Sequence, residues 1–254
     1  MEGITEILKQ FSPTVLSRIG DARLMDRRDT KFIFAKEKLA EVLHSLSGSY
    51  DVLEINGCRT LPYETIYFDT PDFYHFRQHH SKRLNRSKIR IRRYLETNNA
   101  FLEVKHKNNH ARTTKKRVEV EGGRDCIDER STGFLEKNAP LTYLSLEQKL
   151  RVRFFRITLV NKLDPERVTI DIGLNYLHQG MKHHYERLII AEAKRDSRIR
   201  SPFLQVMKKS GIRRFSISKY CLGIMTLHGP IRHNNFKPKI RYIKKLLYAP
   251  ESHH

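Results

Sequence analysis

The sequence is poor in cysteine and has no long hydrophobic segment. Its three cysteines, Cys58, Cys126 and Cys221, are widely spaced and odd in number. This usage argues against a disulfide framework and against a zinc site, which need cysteines at defined spacings. No apolar run approaches the roughly 18 residues of a membrane span, and the N-terminus lacks a secretory signal pattern. We therefore expect a cytoplasmic protein, and a peripheral position at the inner face of a membrane stays open.

Linkers and repeats are missing as well. The sequence has no internal repeat, no low-complexity segment and no Gly/Ser-rich linker that would mark a domain boundary. The simplest organisation is a single domain over residues 1–228, beginning with an N-terminal helix. Residues 229–254 are basic and interrupted by proline, and they are predicted to form a C-terminal tail.

Acidic residues are scarce relative to basic ones. The 254-residue chain has 49 Lys and Arg against 28 Asp and Glu, which gives a formal net charge of +21. Its apolar content of 39% is enough for a folded core, so the chain is not a disordered polycation. A charge of this size points to a polyanionic partner, whether nucleic acid, an anionic membrane surface or phosphate compounds.

The predicted β-strands share a two-faced pattern. In residues 87–96, SKIRIRRYLE, Ile89 and Ile91 lie on one face. Lys88, Arg90 and Arg92 lie on the other, because side chains alternate along a strand. The same pairing of an apolar face with a charged face recurs in AFLEVKHK (100–107), TTKKRVEVE (113–121), RVTIDIG (167–173) and RLIIAEAK (187–194). Cations about 6.5 Å apart on one face repel each other unless an anion lies against them.

Two architectures produce such alternation. An antiparallel sheet with one face in water alternates in this way. A barrel of about eight strands would instead turn the charged face inward and the apolar face outward, beneath helices. The repeated combination of Lys or Arg with Glu or Asp on one face favours the second architecture. We predict an α+β fold with an antiparallel eight-stranded β-barrel tunnel and flanking helices, in which a polyphosphate chain would compensate the inward cations.

A series of short motifs, in order, carries a resemblance to a known family. The motifs are DTKFIF, YFDT, KIRIRRY, FLEVKHK, KKRVEV, FFRIT, ERVTID, IAEAK and SISKY, between about Asp26 and Leu227. With them the sequence resembles the polyphosphate polymerase domain of the vacuolar transporter chaperone family, within the triphosphate tunnel metalloenzyme (CYTH-like) superfamily. The resemblance implies a basic tunnel that binds the triphosphate of ATP and inorganic polyphosphate and transfers the terminal phosphoryl group with a divalent metal. It leaves a membrane-protein partner open.

The resemblance also implies roles for individual residues. The substrate-binding residues would be Lys31, Arg90, Arg92, Lys105, Lys115, Arg156, Arg167, Lys194, Ser218 and Lys219. Arg90, Arg92 and Arg156 among them would be catalytic, and Glu192 would hold Mn²⁺ or Mg²⁺. Ser216 stands where the family has a lysine before its terminal motif.

Three functions stay open at this point. The first is the polyphosphate polymerase that the resemblance implies, and the second is a metal-dependent tunnel triphosphatase that hydrolyses short polyphosphate or nucleotides. Spacing does not separate these two, because both need the same phosphate-binding residues. The third is a non-catalytic polyanion-binding protein. No specific nucleic-acid partner is expected, since no recognised nucleic-acid motif is present and aromatics beside the cations are few.

Several of these residues can also be explained by a structural role, without substrate or metal binding. Arg156 and Lys105 can instead form ion pairs with Glu103 or Glu119, and Glu192 can pair with lysine neighbours. We expect the histidines to be solvated surface groups rather than metal ligands: His75, His79, His80, His106, His110, His183 and His184. The segment Asp69-Thr70-Pro71-Asp72 is best explained as a turn and helix cap.

Overall fold

The computed structural model describes residues 2–20, 27–110, 113–121, 125–229 and 231–248. Asp26, at the start of the resemblance, lies outside these residues, and so do residues 230 and 249–254 of the predicted tail. None of the helices in the described ranges has the length and apolar character needed to cross a membrane.

A single curved sheet forms the body of the protein. The strands are β1 (Pro13–Thr14), β2 (Arg27–Ala35), β3 (Tyr50–Leu53), β4 (Leu61–Asp69), β5 (Arg86–Tyr94), β6 (Asn99–Lys107), β7 (Thr113–Val120), β8 (Glu147–Asn161), β9 (Glu166–His178), β10 (Met181–Tyr185) and β11 (Leu188–Asp196). The main path is β2-β11-β9-β8-β4-β5-β6-β7, and every neighbouring pair along it is antiparallel. The eight-stranded antiparallel sheet predicted from the sequence is thus confirmed.

Helices flank this sheet, as predicted. They are α1 (Glu2–Leu8), α2 (Leu16–Gly20), α3 (Leu39–Leu46), α4 (Tyr74–His80), α5 (Glu129–Asn138), α6 (Pro202–Lys209), α7 (Lys219–Leu227) and α8 (Lys237–Tyr248). The N-terminal region is two short helices separated by β1 rather than one helix, because the chain pairs there with β3. The described part of the basic tail contains α8, which is docked: its Ile243 and Leu247 are buried.

The sheet curls without closing through hydrogen bonds. The end strands β2 and β7 do not pair with each other in the described ranges, so the predicted closed barrel is too strict a description. The inner face nevertheless encloses a lumen, because side chains from distant strands meet across it. Burial and then the positive charge of Lys31, on β2, lower the pKa of Lys105 on β6, while Glu192 on β11 opposes this effect.

The apolar faces of the strands point outward under the helices. Alternate side chains of β2, β8, β9 and β11 pack in one cluster with α1, α3 and α6, and Ile189 and Ala191 are typical members. Those of β4, β5 and β6 pack in a second cluster with α5, including Ile89, Ile91 and Leu135. The alternation in the sequence therefore predicted the outer and inner faces correctly, and the charged positions line the lumen.

Helix α7 packs closely on the sheet through a glycine. A Cβ atom at Gly223 would lie 2.5 Å from Cδ2 of Leu150 on β8 and 2.5 Å from Cδ1 of Tyr176 on β9. The buried residues of α7 share a core cluster with these two side chains and with α8. Only glycine permits this approach without movement of the neighbouring side chains.

We expect Gly223→Ala to destabilise the protein by about 1–3 kcal/mol, because the added methyl group overpacks a filled core. Gly133→Ala is the matched control, since Gly133 lies in helix α5 and a Cβ there would meet open space among the described residues. That control should be neutral or stabilising by up to about 1 kcal/mol, because alanine favours a helix over glycine. Thermal unfolding of the two variants measures the difference. Equal melting temperatures would show that α7 tolerates a methyl group and does not depend on this contact.

Candidate functional site

The tunnel brings together the basic residues that the sequence singled out. Lys31, Arg90, Arg92, Lys105, Lys115, Arg156, Arg167, Lys194 and Lys219 all have side chains in contact with the lumen or with one another across it. Ser218 differs from them, because its hydroxyl oxygen accepts a hydrogen bond from the Cys221 backbone N–H and so caps helix α7. The serine also lines the lumen at its end nearest α8.

Glu103 anchors one group of cations. The carboxylate is 1% exposed, and Arg90 donates to it from Nε at 2.8 Å and from Nη2 at 2.6 Å. Lys115 on the next strand pairs with its other oxygen. Burial tends to raise the pKa of this carboxyl, but Arg90, Arg92 and Lys115 outweigh burial and lower it to about 2. Glu103 is therefore a carboxylate held between two tunnel cations.

Asp171 anchors a second group. Arg156 donates to it from Nε at 2.6 Å and from Nη2 at 2.9 Å, which is the bidentate geometry that arginine makes with carboxylates. Lys219, the first residue of α7, bonds to the same carboxylate. Burial opposes the charge, but Arg156 and Lys219 lower the pKa of Asp171 to about 2. Sequence reasoning did not include Asp171 among the site residues, although the alternation placed it on the charged face of β9.

Glu192 lies between the cations of β2 and β11. Its Oε1 is 2.9 Å from Nζ of Lys31, and its Oε2 is 3.9 Å from Nζ of Lys194. Burial tends to raise its pKa, but Lys194, Lys31 and Lys105 lower it far below the ordinary range. Glu192 is therefore ionised at any physiological pH, as a metal ligand must be.

The donor set around Glu192 fits a metal that shares its coordination with the substrate. No group of three or more His, Cys, Asp or Glu side chains with metal-binding geometry occurs in the parts of the chain described. The β9–β11 register places Asp171 two residues along from the partner of Glu192, on the same face of the sheet. Mg²⁺ is usually held by one or two carboxylates together with substrate phosphates. Glu192 and Asp171 offer carboxylate oxygens of this kind, both of them ion-paired here, whereas a preformed protein cage is absent from the described residues.

Arg92 stands apart because it forms no ion pair within the described residues. Its Nε is buried without a hydrogen-bond partner. Burial lowers its pKa, and the positive charges of Arg90 and Arg156 lower it further. Glu103 raises the pKa in part, so Arg92 is a buried cation whose charge is only partly compensated among the described residues, and a bound anion would add to that compensation.

The lumen opens into two cavities at opposite sides of these clusters. One cavity, of about 460 Å³, is called here the aromatic mouth and is lined by Arg92, Lys115, Arg156, Arg167 and Lys194 with the rings of Tyr63, Tyr94 and Phe101. The other, of about 390 Å³, is called the basic mouth and is lined by Lys31, Lys82, Arg86, Lys88 and Lys239 with residues of α7 and α8. Glu192 lies between them, because Lys31 lines one mouth and Lys194 the other.

The histidines are not all solvated, contrary to expectation. His75 is 3% exposed and His80 is 9% exposed, and both lie on helix α4. Their positions five residues apart do not share an obvious apolar stripe, so the local sequence gave no clear signal of burial. Burial lowers the pKa of both side chains, which favours their neutral forms.

Comparisons with known proteins identify a family and similar folds. Residues 26–228 match the family described as the VTC domain. A proposed adenylyl cyclase from Hippeastrum, described as having a dominant triphosphatase activity, superposes with a TM-score of 0.51 at 13% identity, covering 82% of this chain and 100% of that chain. A proposed adenylate cyclase from Bacillus halodurans has a TM-score of 0.49 at 14% identity, covering 80% and 98%. No curated protein sequence matches the chain.

The Hippeastrum structure supports the fold assignment, and the sequence match covers most of the chain, including all the tunnel cations and carboxylates described above. The chain belongs to the VTC domain family.

Proposed function

We propose that the protein is a polyphosphate polymerase-like enzyme, which binds the triphosphate of ATP and inorganic polyphosphate in its tunnel and transfers the terminal phosphoryl group. The observation that carries this proposal is the electrostatic design of the lumen. Three ionised carboxylates are each held between two cations, and Arg92 has no ion-pair partner among the described residues. A chain of phosphates carries a negative charge on every unit, so it can pair with the cations repeated along the lumen.

The basic residues would act by positioning and neutralising phosphates. Phosphoryl transfer needs little covalent chemistry from the protein, because charge is spread over the oxygens of the transition state. Arg90, Arg92 and Arg156 would contact phosphate oxygens as bidentate donors, and Lys31, Lys105, Lys115, Arg167, Lys194 and Lys219 would add positive charge along the path. The acceptor would be phosphate or the end of a polyphosphate chain, so the protein need not supply a nucleophile.

A divalent metal belongs to this proposal. Glu192 would hold Mn²⁺ or Mg²⁺, and the metal would supply positive charge to the phosphate oxygens during transfer. Because Glu192 is ion-paired with Lys31, a phosphate that attracts this lysine would free the carboxylate for the metal.

Hydrolysis is the second candidate function, with water as the acceptor in place of phosphate. The structural similarity to the Hippeastrum protein, which is described as having a dominant triphosphatase activity, supports hydrolysis as a candidate. The same residues would bind the substrate in either reaction, so only the products distinguish them.

The test is incubation of the purified protein with ATP and Mn²⁺, followed by gel detection of long polyphosphate and an assay of free phosphate. Long polyphosphate supports the polymerase, and free phosphate alone supports the triphosphatase. Neither product, with RNA bound as tightly as ATP, would support a non-catalytic polyanion-binding protein and overturn the proposal.

We expect Glu192→Gln to lower metal-dependent turnover by about 100-fold or more, the cost typical of removing one charge-stabilising group. The matched control is Glu186→Gln, because Glu186 is an exposed residue just before β11 that pairs only with exposed Lys36 among the described residues. That control should keep wild-type activity. Wild-type turnover in the Glu192→Gln protein would remove Glu192 from the metal-binding role.

A further inference from the structure

Helix α8 has an exposed basic side that faces away from the tunnel. Its inner side packs on the core through Ile243 and Leu247, and Lys239 on that same side lines the basic mouth. The outer side carries four exposed cations and two exposed tyrosines: Lys237, Arg241, Lys244, Lys245, Tyr242 and Tyr248. Helix α8 also lies outside the residues that match the VTC domain family, so membership of that family gives it no role.

The spacing of these residues places them on one face of the helix. Because an α-helix has 3.6 residues per turn, the four cations and Tyr248 fall within a sector of about 100°, with Tyr242 at its edge. The 12 residues of α8 extend over about 18 Å. The outer side of α8 is therefore a continuous basic strip with a tyrosine among its cations.

No acidic side chain offsets this charge within the described ranges. Residues 197–250 include neither Asp nor Glu, and the four cations of the strip form no ion pair in the described part of the chain. The positive surface also continues beyond the helix. The Tyr242 ring stacks on the Phe215 ring at 4.9 Å between centroids, and Phe215 directly follows the exposed Arg213 and Arg214. Such a surface attracts an extended anionic partner.

The two tyrosines indicate which anionic partner fits. Tyr248 is 71% exposed and Tyr242 is 40% exposed, so two large rings lie in water beside the cations. Tyrosine has an apolar ring and a polar hydroxyl, and it is enriched at membrane–water interfaces for that reason. Proteins that bind single-stranded nucleic acid hold the backbone in a positively charged groove, whereas the exposed face of one helix is convex. The combination favours the surface of a lipid bilayer.

We propose that the outer side of α8 binds the surface of a membrane that contains anionic lipids. The cations contact the lipid headgroups, and the tyrosine rings lie at the level of those headgroups. Ile243 and Leu247 stay packed in the core, so the helix lies on the membrane and does not cross it. Because charge supplies most of the attraction, the binding is reversible and sensitive to salt. It uses none of the residues of the tunnel.

Co-sedimentation of the purified protein with vesicles tests this surface. One set of vesicles contains phosphatidylcholine alone, and the other contains phosphatidylcholine with phosphatidylglycerol. The wild type should bind only the second set. Arg241→Gln/Lys245→Gln should bind it about 25-fold more weakly, since each basic residue near an anionic surface contributes a factor of about five in affinity. The difference should shrink as salt is raised.

Two further variants separate this surface from the net charge of the protein. Lys137→Gln/Lys182→Gln removes the same charge from exposed positions on α5 and β10, and it should bind anionic vesicles as the wild type does. Tyr248→Ser removes a ring without changing the charge, so it should weaken vesicle binding by the same factor at every salt concentration. All three variants should bind tripolyphosphate with wild-type affinity, because the changed side chains lie outside the tunnel.

Several outcomes would overturn the membrane surface. One is a wild type that does not bind anionic vesicles. Another is an equal loss for the α8 double variant and the Lys137/Lys182 control, which would show attraction by net charge alone. If the α8 variant lost affinity for single-stranded RNA but kept its affinity for vesicles, the strip would be a nucleic-acid site. A wild type that bound vesicles but no tripolyphosphate would contradict the proposed function and leave the membrane surface in place.

Discussion

Replacing Asp69 with alanine is expected to destabilise the protein by about 4 kcal/mol or more. The carboxylate is completely buried and accepts hydrogen bonds from the backbone N–H groups of Thr70, His75 and Phe76 at 2.8, 2.8 and 2.9 Å. The Tyr220 hydroxyl donates to the same carboxylate. Each buried donor left without a partner costs about 1–3 kcal/mol, so four of them place this substitution among the severe ones.

The loss should extend to phosphate binding. Asp69 holds the start of α4 and, through Tyr220, the start of α7. Tyr220 directly follows Lys219, which bonds to Asp171, and its ring lies 5.2 Å from that of Tyr67. Tyr67 in turn accepts a hydrogen bond from Arg90. Asp69 is therefore a positioning residue that acts on the tunnel through α7.

Two variants separate these effects in urea unfolding and in polyphosphate titrations. Tyr220→Phe removes a single donor and keeps the ring, so it should cost about 1–2 kcal/mol and weaken polyphosphate binding. Asp72→Ala, in the same turn, removes an exposed carboxylate and should cost less than about 1 kcal/mol. Equal stabilities for Asp69→Ala and Asp72→Ala would show that the buried carboxylate is not the anchor described here.

Strand alternation allowed the composition of the lumen to be predicted from the sequence. Side chains of a strand alternate strictly, so the apolar and charged faces of RVTIDIG and RLIIAEAK follow from the sequence alone. Asp69 was likewise identified as part of a turn and helix cap, because short polar side chains at such positions accept backbone N–H groups. These local rules do not depend on how the strands pair.

Ion-pair partners on neighbouring strands could not be predicted in the same way. Glu103 and Glu119 were considered as alternative, structural partners of Arg156, but the β8–β9 register sets Arg156 opposite Asp171. The β5–β6 register sets Arg90 opposite Glu103. Register depends on contacts between segments far apart in the sequence, so alternation indicates which face a residue occupies and not which residue lies opposite.

The close approach of α7 to the sheet had no signal in the sequence either. Gly223 lies within a helix, where glycine is usually unfavourable, and only the neighbouring side chains of Leu150 and Tyr176 explain its presence. The open edge between β2 and β7 was also missed, because the alternation is the same in a closed barrel and in a curled sheet.

The two arginines of KIRIRRY are expected to affect the stability of the ligand-free protein in opposite directions. The sequence suggested that Arg90 and Arg92 repel each other equally in an empty tunnel. In the structure Arg90 makes two hydrogen bonds to the buried carboxylate of Glu103, and Tyr67 and Glu103 raise its pKa despite burial. Arg92 has no such carboxylate partner in the described structure, and its pKa is lowered.

Arg90→Gln should therefore lower the stability of the ligand-free protein by about 3 kcal/mol, since removing one partner of a buried ion pair leaves the other charge poorly compensated. Lys115 would remain as the only ion-pair partner of Glu103 among the described residues. Arg92→Gln should raise stability by about 1 kcal/mol, or about 2–4 °C in melting temperature, because it relieves repulsion from Arg90 and Arg156.

Adding polyphosphate should make the wild type melt at a higher temperature than Arg92→Gln, which is the reverse of the order expected without ligand. A ligand that binds only the folded state stabilises it according to its affinity, and both variants lose a bidentate phosphate donor. The wild type should therefore gain more in melting temperature on adding polyphosphate than either variant. Thermal unfolding of the three proteins, with and without polyphosphate, measures both effects. If Arg92→Gln melted as early as Arg90→Gln without ligand, Arg92 would make a stabilising charge interaction in the empty tunnel. The idea that its charge is compensated mainly by bound phosphate would then be wrong.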